Sequence, residues 1–291
     1  MHSGGKTIQL QAGHYRAKIV TVGAGLAELT HHGRHVVIPH KPEEMPLAHL
    51  GKILVPWPNR IANGCYQHNG KAFQLAVNDL ASQSAIHGLL AWQDWQINQQ
   101  SVSEASLMIF LPPSYGYPFS LLVEVIYRLD AIGGLHVYIS ALNIGDQPAP
   151  YGSGAHPYLT CDLEKIDSCT LILPADEVLS IDTQELHRVE HTELNFTTPR
   201  PIAATQIDHT FKTTAPGDEW EVRMFSAAKN MTTFLRCDQP WLQVYSGEKL
   251  HRQGLAVEPM TCPPDAFNSG IGLISLTPGE MHRMRFLIGA E

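Results

Sequence analysis

The sequence has few charged residues and no run of basic ones, and these two absences exclude several kinds of partner. Only 16% of its 291 residues are charged, and 20 Lys and Arg against 28 Asp and Glu give a formal net charge of −8. A chain without a basic patch is not expected to bind nucleic acid or an anionic membrane surface. We therefore expect neither partner.

Long apolar runs and paired cysteine motifs are also absent. No stretch reaches the roughly 20 apolar residues that cross a bilayer, and residues 1–20 lack the apolar block of a signal peptide. The five cysteines form an odd set without a CxxC spacing, which favours reduced thiols over a disulfide framework or a zinc ribbon. These features predict a soluble, cytoplasmic protein, and they carry no signal for its oligomeric state.

Turn-forming residues, in contrast, are frequent along the sequence. It has 20 prolines and 23 glycines, and short runs rich in β-branched and aromatic residues lie between them. Several of these runs alternate apolar and polar residues, which is the period of a strand with one solvated face. The runs predicted to be strands are 106–112, 120–130, 134–145, 169–175, 241–247 and 282–290.

Helical periodicity is nearly absent, and the best candidate for a helix is a short piece near 184–191. The short link "AIGG" predicts an antiparallel hairpin between 120–130 and 134–145. Many short strands with turn signals favour a sandwich or barrel architecture. We predict an all-β fold, a large antiparallel β-sandwich with few short helices, and one domain over residues 1–291.

The 16 histidines make a metal site the first chemistry to consider. His31, His32 and His35 stand close together in "HHGRH", but neither an HExxH motif nor a nearby Cys or carboxylate cluster accompanies them. A tight "HG" turn between two strands explains the cluster more simply. A GxSxG nucleophile motif and a Gly-rich phosphate loop before a helix are missing as well. We predict no metal ion and no cofactor.

His156 lies in "PYGSGAHPYL", a corner of small residues at 150–159. A histidine there is a metal ligand, a hydrogen-bonded core residue or an acid–base catalyst, and the small residues before it are expected to leave room for a ligand. Glu258 ends an apolar run immediately before Pro259. Burial there should move its pKa from about 4.3 toward neutrality, as suits a general base, although an Arg-paired structural role is the alternative.

Other polar residues at strand ends or in loops have equally open roles when taken singly. Asn59 and Arg60 lie between prolines and a glycine, where they either fix a turn or contact a ligand. His87 precedes Gly88 in "AIHGLLAW", and Asp208 lies in "QIDHTF". Each of these residues is explained by structure alone as readily as by function.

Together and in chain order, the motifs resemble the aldose 1-epimerase (galactose mutarotase) family, over most of the chain. The motifs are "NRI" at 59–61, Gly64-x-Tyr66-x-x-Asn69-Gly70, "LAVND" at 75–79, "IHG" at 86–88, His156-x-Tyr158, "IDHTF" at 207–211, "LQVYSG" at 242–247 and "VEPMTCPPDAFNSG" at 257–270. The resemblance implies a galactose mutarotase-like supersandwich with a sugar site in a cleft on one face.

The resemblance also implies an activity, the interconversion of the α and β anomers of a hexose without cofactor or metal. Glu258 matches the family's base and His156 its acid, on opposite sides of the anomeric carbon. A protonated imidazole would protonate the ring oxygen while the carboxylate takes the proton of the anomeric hydroxyl. The substrate-binding residues that the resemblance implies are Asn59, Arg60, His87, Asp208 and Gln243.

Two segments depart from the family pattern, "GSGAHPYLT" at 152–160 and "HGLLAW" at 87–92. They predict an altered pocket, and the substrate is therefore expected to be a hexose or a modified, phosphorylated or sulfonated hexose. An anionic substituent would need an added basic contact, from Lys52, Lys71 or Arg236. Trp57 or Tyr158 would offer an aromatic face to the sugar ring.

Two other functions compete with the epimerase. A non-catalytic carbohydrate-binding protein on the same scaffold would need neither the acid nor the base. A glycoside-cleaving enzyme normally requires two carboxylates flanking one bond, and Asp208 is the obvious second candidate beside Glu258. The resemblance gives Asp208 a binding role and so favours the epimerase.

Overall fold

Strands make up nearly all of the regular structure in a computed structural model of the chain, which describes residues 2–180, 182–213 and 219–291. The strands of the first half are β1 Thr7–Ala12, β2 Tyr15–Val20, β3 Gly25–His31, β4 Arg34–His35, β5 Ile53–Leu54, β6 Arg60–Ala62, β7 Cys65–His68, β8 Lys71–Gln74, β9 Ser84–Ile86, β10 Gln96–Gln100, β11 Glu104–Leu111, β12 Leu121–Asp130 and β13 Gly134–Asn143. Those of the second half are β14 Ala149–Tyr151, β15 Gly154–Ala155, β16 Tyr158–Leu159, β17 Cys169–Ile172, β18 Glu177–Leu179, β19 Leu186–Arg188, β20 Arg200–Pro201, β21 Asp208–Lys212, β22 Trp220–Ser226, β23 Met231–Cys237, β24 Trp241–Tyr245, β25 Leu255–Met260, β26 Ile274–Leu276 and β27 Met281–Ala290. The helical segments among the described residues are short, namely 3₁₀ turns at Leu47–His49, Ile166–Ser168 and Glu248–Leu250 and one α-helix, α1, at Ala266–Ser269.

Two large antiparallel sheets form the body of the fold. The nine-stranded sheet has the order β10-β11-β12-β13-β27-β23-β22-β17-β20, and the eight-stranded sheet has the order β19-β18-β21-β24-β25-β15-β5, with β16 also paired to β25. A four-stranded sheet, β1-β2-β3-β4, and three two-stranded ribbons accompany them. The predicted all-β antiparallel sandwich is confirmed.

The burial pattern explains why these segments form sheets. Along β12, buried residues alternate with partly buried or exposed ones, so one face covers the core and the other faces outward. All six residues of β25 are buried, because this strand lies inside its sheet and both of its faces are covered. Buried residues from both large sheets, such as Val125, Ile139, Val244 and Val257, belong to one hydrophobic core. Each such side chain stabilises the fold by about 1.5–3 kcal/mol.

Each of the six predicted strands is present in the structure, as β11, β12, β13, β17, β24 and β27. The hairpin is also confirmed, since β12 and β13 pair in register from Leu121↔Asn143 to Asp130↔Gly134. The "HG" turn joins β3 to β4, with positive φ angles of 51° at His32 and 78° at Gly33. These two angles suit a tight hairpin turn.

The helix predicted near 184–191 is wrong. Leu186–Arg188 forms β19, which pairs with β18 in the register Glu177↔Arg188 to Leu179↔Leu186. A segment of two turns is too short to be a stable helix by itself, and strand pairing at the edge of the eight-stranded sheet supplies the competing hydrogen bonds.

Two further predictions concern the chain as a whole. Among the described residues, the structure contains no helix with the length and apolar character required to cross a bilayer. The organisation as one domain over 1–291 stays a prediction.

Candidate active site

A polar cavity of about 350 Å³ lies where three strands of the eight-stranded sheet meet several loops. The site residues predicted from the sequence all line this cavity, namely Asn59, Arg60, His87, His156, Asp208, Gln243 and Glu258. They come from six separate segments of the chain, so only the fold brings them together. The other lining residues are Ala48, His49, Asn78, Asp79, Ile86, Tyr158, Tyr245 and Lys249.

The floor of the cavity, which we define as Asp208, Gln243 and Glu258, is set by strand register. Gln243 of β24 stands directly opposite Glu258 of β25, and Asp208 is the first residue of the neighbouring β21. The Gln243 amide donates to Asp208 Oδ1 at 2.7 Å, and Thr210 Oγ1 donates to Gln243 Oε1. These bonds fix the orientation of the buried Gln243 side chain.

His156 and Glu258 are in contact, with 3.4 Å between His156 Nε2 and Glu258 Oε1. Both are almost completely buried, at 5% and 2% exposure. His156 lies between β15 and β16, where its N–H donates to Lys52 O and its carbonyl accepts from Gly51 N–H, each at 2.9 Å. The Tyr158 ring stacks on its imidazole at 5.0 Å between centroids. A separation of 3.4 Å leaves no space for a carbon between the two groups.

The small residues before His156 serve the packing of strands. A Cβ on Gly154 would lie 2.8 Å from Pro259 O, and one on Gly152 would lie 2.5 Å from Cys262 Sγ. A side chain at Gly154 would displace the backbone of β25, and one at Gly152 would displace the Cys262 side chain. Gly154 therefore allows β15 to pair closely with β25, the strand that carries Glu258. The expectation that the small residues leave room for a ligand is wrong.

Left-handed backbone conformations are concentrated around the cavity. Asn59 and His87, which lie just outside the paired strands β6 and β9, have φ angles of 51° and 63°, and His87 N–H donates to Asn59 O at 2.7 Å. In the Leu47–His49 turn, Ala48 and His49 have φ angles of 49° and 52°. Non-glycine residues adopt this region at an energetic cost, and such residues cluster at functional sites.

Five buried polar atoms on the cavity have no hydrogen-bond partner in another residue among those described. They are Asn59 Oδ1, Arg60 Nε, His87 Nδ1, His156 Nδ1 and Glu258 Oε2. A buried polar group without a partner costs about 1–3 kcal/mol, and most such groups in proteins are satisfied. Their concentration on one cavity indicates a surface built to bind a polar ligand.

Burial shifts the ionisation of the acidic and basic groups in opposite directions. It raises the pKa of Glu258 well above its usual value, an effect that the nearby Asp208 increases and Arg60 opposes. Burial also lowers the pKa of His156 to about 3 and holds that of His87 well below 6.5. The direction expected for Glu258 is the one observed, whereas the expected imidazolium at His156 is disfavoured. A protonated Glu258 beside a neutral His156 is the state that burial favours.

The aldose 1-epimerase family model matches residues 6–289, nearly the whole chain. The chain belongs to the aldose 1-epimerase family. Among curated relatives, it is 57% identical over 292 residues to "Uncharacterized protein YihR" of Escherichia coli K12, covering 99% of this chain and 94% of that protein. It is 28% identical over 227 residues to the aldose 1-epimerase of the same strain, covering 70% of this chain and 64% of that enzyme.

Solved structures of family members share the fold. A GalM/aldose epimerase homologue from C. elegans superposes with a TM-score of 0.88 at 19% identity, covering 98% of both chains. The galactose 1-epimerase of Lactobacillus acidophilus superposes with a TM-score of 0.83 at 20% identity, covering 97% of this chain and 92% of that one. At such identities the likeness concerns the sandwich fold.

Several lining residues were missed by the sequence analysis, chiefly His49, Asp79 and Lys249. The ring of His49 lies 4.6 Å from that of His87, and burial lowers its pKa to about 4. His49 and Lys249 reach the cavity from the 3₁₀ turns Leu47–His49 and Glu248–Leu250, which contact each other. Asp79 ends the quoted "LAVND" motif, so its sequence signal was present, whereas nothing in "PLAHLG" or "GEKLHR" marks a site residue.

The basic and aromatic residues suggested as additional contacts lie elsewhere, apart from Tyr158. Lys52 is buried and its Nζ donates to Val22 O at 2.6 Å. Lys71 is exposed on β8, and Arg236 pairs with Glu221 at 2.5 Å. Trp57 is a core residue, buried against Phe267 at 5.7 Å between ring centroids. None of these four lines the cavity.

Proposed function

We propose that this family member is an aldose 1-epimerase that interconverts the α and β anomers of a hexose or a modified hexose. The observation that carries the proposal is the buried contact between His156 Nε2 and Glu258 Oε1 on a cavity rich in unpartnered polar atoms. Burying an acid–base pair of this kind costs stability, so its presence in the protein interior points to a function.

In the proposed reaction, Glu258 and His156 move two protons around one carbon. The Glu258 carboxylate takes the proton of the anomeric hydroxyl while the His156 imidazolium gives its proton to the ring oxygen. The bond between the anomeric carbon and the ring oxygen breaks, and the anomeric oxygen becomes an aldehyde. Rotation about the C1–C2 bond and reversal of both proton transfers close the ring with the other configuration.

The spacing of the pair suits two oxygens that are bonded to one carbon. The ring oxygen and the anomeric oxygen are closer together than the 3.4 Å that separates His156 Nε2 from Glu258 Oε1. A sugar that presents its anomeric edge to the pair can therefore offer one oxygen to each group at once.

The pair holds one proton in every state of this mechanism. Before ring opening the proton is on His156, and after ring opening it is on Glu258. The second arrangement is the one that burial favours, because the pKa of Glu258 is raised and that of His156 is lowered. We therefore propose that the pocket stabilises the open-chain aldehyde complex relative to the closed sugar.

The remaining predicted residues are proposed to hold the sugar hydroxyls. Asp208 and Asn59 supply acceptor oxygens, Arg60 supplies a planar set of donors, and His87 contributes an imidazole whose Nδ1 has no hydrogen-bond partner among the described residues. Arg60 and Lys249 place two cationic side chains on the cavity wall. They can meet an anionic substituent of a hexose, so the substrate panel should include phosphorylated and sulfonated hexoses.

The test is anomer exchange measured by NMR across free, phosphorylated and sulfonated hexoses. We expect acceleration with at least one sugar and its loss in Glu258→Gln, with sugar binding retained. Glu104→Gln, on β11 in an exposed pair with Arg128, is the matched control and should keep full activity. Binding without any acceleration by the unsubstituted protein would favour the carbohydrate-binding alternative, and no acceleration with any hexose would overturn the proposal.

A further inference from the structure

The side chains that would perform the epimerisation also have the donor set of a divalent metal site. His87, His156 and Glu258 each offer one ligand atom, and these atoms all lie within 4.8 Å of one another. A tetrahedral Zn²⁺ with bonds of about 2.0–2.2 Å needs roughly 3.3 Å between its ligand atoms. The His156 Nε2 to Glu258 Oε1 distance of 3.4 Å already has this value. The His87 ligand atom lies within 4.8 Å of both, so a small shift of its side chain would complete the set.

A second observation points to a ligand at the same place. His87 is 4% exposed, and its Nδ1 has no hydrogen-bond partner. Glu258 Oε2 is likewise buried without a partner. No described residue satisfies these two atoms, so a metal ion or a polar ligand is their expected partner.

The charged groups around the cavity also admit a cation, because the carboxyl groups of Asp79, Asp208 and Glu258 line it together with Arg60 and Lys249.

We propose that His87, His156 and Glu258 form a Zn²⁺ site, and that Zn²⁺ bound there inhibits the enzyme in competition with the sugar. Two imidazoles and one carboxylate are a ligand set that Zn²⁺ takes in proteins. The fourth position faces the cavity, where a water molecule completes the tetrahedron. The ion occupies the atoms that move protons in the epimerisation, so the inhibitory part rests on the proposed function, whereas the binding part does not.

Direct titration tests the binding part without any assay of activity. Zn²⁺ is titrated into the metal-free protein by calorimetry, and Co²⁺ is titrated with visible absorption as a report of tetrahedral geometry. We expect one saturable site, weakened by more than about 10-fold in His87→Gln and in Glu258→Gln, because even the loss of an outer-shell partner costs that much. Circular dichroism checks that both variants fold.

Two control variants separate this site from other histidines. His49→Gln removes an imidazole of the same cavity, 4.6 Å from His87 between ring centroids, and should keep Zn²⁺ binding. The double variant His14→Asn and His32→Asn removes an exposed stacked pair with centroids 3.8 Å apart and should also keep it. The absence of saturable binding, equal binding in His87→Gln, or loss of binding in either control would overturn the site.

The inhibitory part is tested with the hexose that the panel identifies. Zn²⁺ should raise the apparent KM without changing kcat, and excess sugar should displace Co²⁺ and abolish its absorption. If Zn²⁺ binds at the three residues and epimerisation proceeds undiminished, the inhibition is wrong although the site stands. If no hexose is epimerised, the titrations still decide the site.

Discussion

The floor of the cavity and its rim are built in different ways. The floor, Asp208, Gln243 and Glu258, lies on three adjacent paired strands, and a side-chain hydrogen bond joins Gln243 to Asp208. The rim, which we define as the Leu47–His49 and Glu248–Leu250 turns, is held by left-handed backbone and by contact between the two turns. Glu258 is therefore placed by sheet register, whereas His49 and Lys249 are placed by turns.

The largest effect on the rate is expected from shortening one side chain of the floor. Glu258→Asp withdraws the carboxylate by one methylene from its 3.4 Å contact with His156, and we expect kcat/KM to fall by about 100-fold. The same change in the rim, Glu248→Asp, should alter the rate only slightly, since Glu248 does not line the cavity. NMR exchange rates compare the two variants, and equal losses would contradict the distinction between floor and rim.

A smaller effect is expected on stability when the floor loses its hydrogen bonds. Gln243→Leu leaves the buried Thr210 hydroxyl and the Asp208 carboxylate without their amide partner. The free energy of unfolding should fall by about 1–3 kcal/mol, as measured by urea denaturation. Gln67→Leu, at an exposed position of β7, serves as the control and should stay within about 0.5 kcal/mol of the wild type.

Glu258 and His156 should give opposite dependences of stability on pH. The folded-state pKa of Glu258 is raised, so its contribution to stability is lost as pH rises above about 4.5. The free energy of unfolding of Glu258→Gln should therefore increase relative to that of the wild type as pH rises. The folded-state pKa of His156 is lowered, so its contribution to stability is lost as pH falls below about 6.5. The free energy of unfolding of His156→Gln should therefore increase relative to that of the wild type as pH falls. Either slope is at most about 1.4 kcal/mol per pH unit. Urea denaturation from about pH 4 to about pH 8 measures both, and parallel slopes would refute the assigned shifts.

The smallest expected effect belongs to the rim. Lys249→Gln removes a cation from the mouth of the cavity, worth about 1 kcal/mol toward an anionic substituent in a solvated setting, or roughly five-fold in KM. We expect kcat and stability to stay unchanged. Lys71→Gln, on the exposed face of β8, is the control. A change confined to kcat would show that Lys249 takes part in the reaction instead.

The sequence predicts the floor far better than the rim. Glu258 is marked by an apolar run that ends at Pro259, and Gln243 and Asp208 lie in alternating strands, so local periodicity and the family resemblance both find them. His49 and Lys249 come from short turns whose path depends on contacts distant in sequence, and no local pattern records those contacts. The same reason explains the wrong helix near 184–191, where pairing with β18 overrides local preference. It also explains the wrong role expected for Trp57, whose side chain packs in the hydrophobic core.

The register Gln243↔Glu258 has a consequence for studies of folding. In a strand pair, a slip of one residue turns every side chain to the opposite face, so a mispaired β24–β25 ribbon would point Glu258 away from His156. Such a molecule would keep its strand content and its spectrum but would lack the proposed epimerase activity. Turnover per mole of refolded chain would then count the correctly registered molecules, which circular dichroism alone does not distinguish.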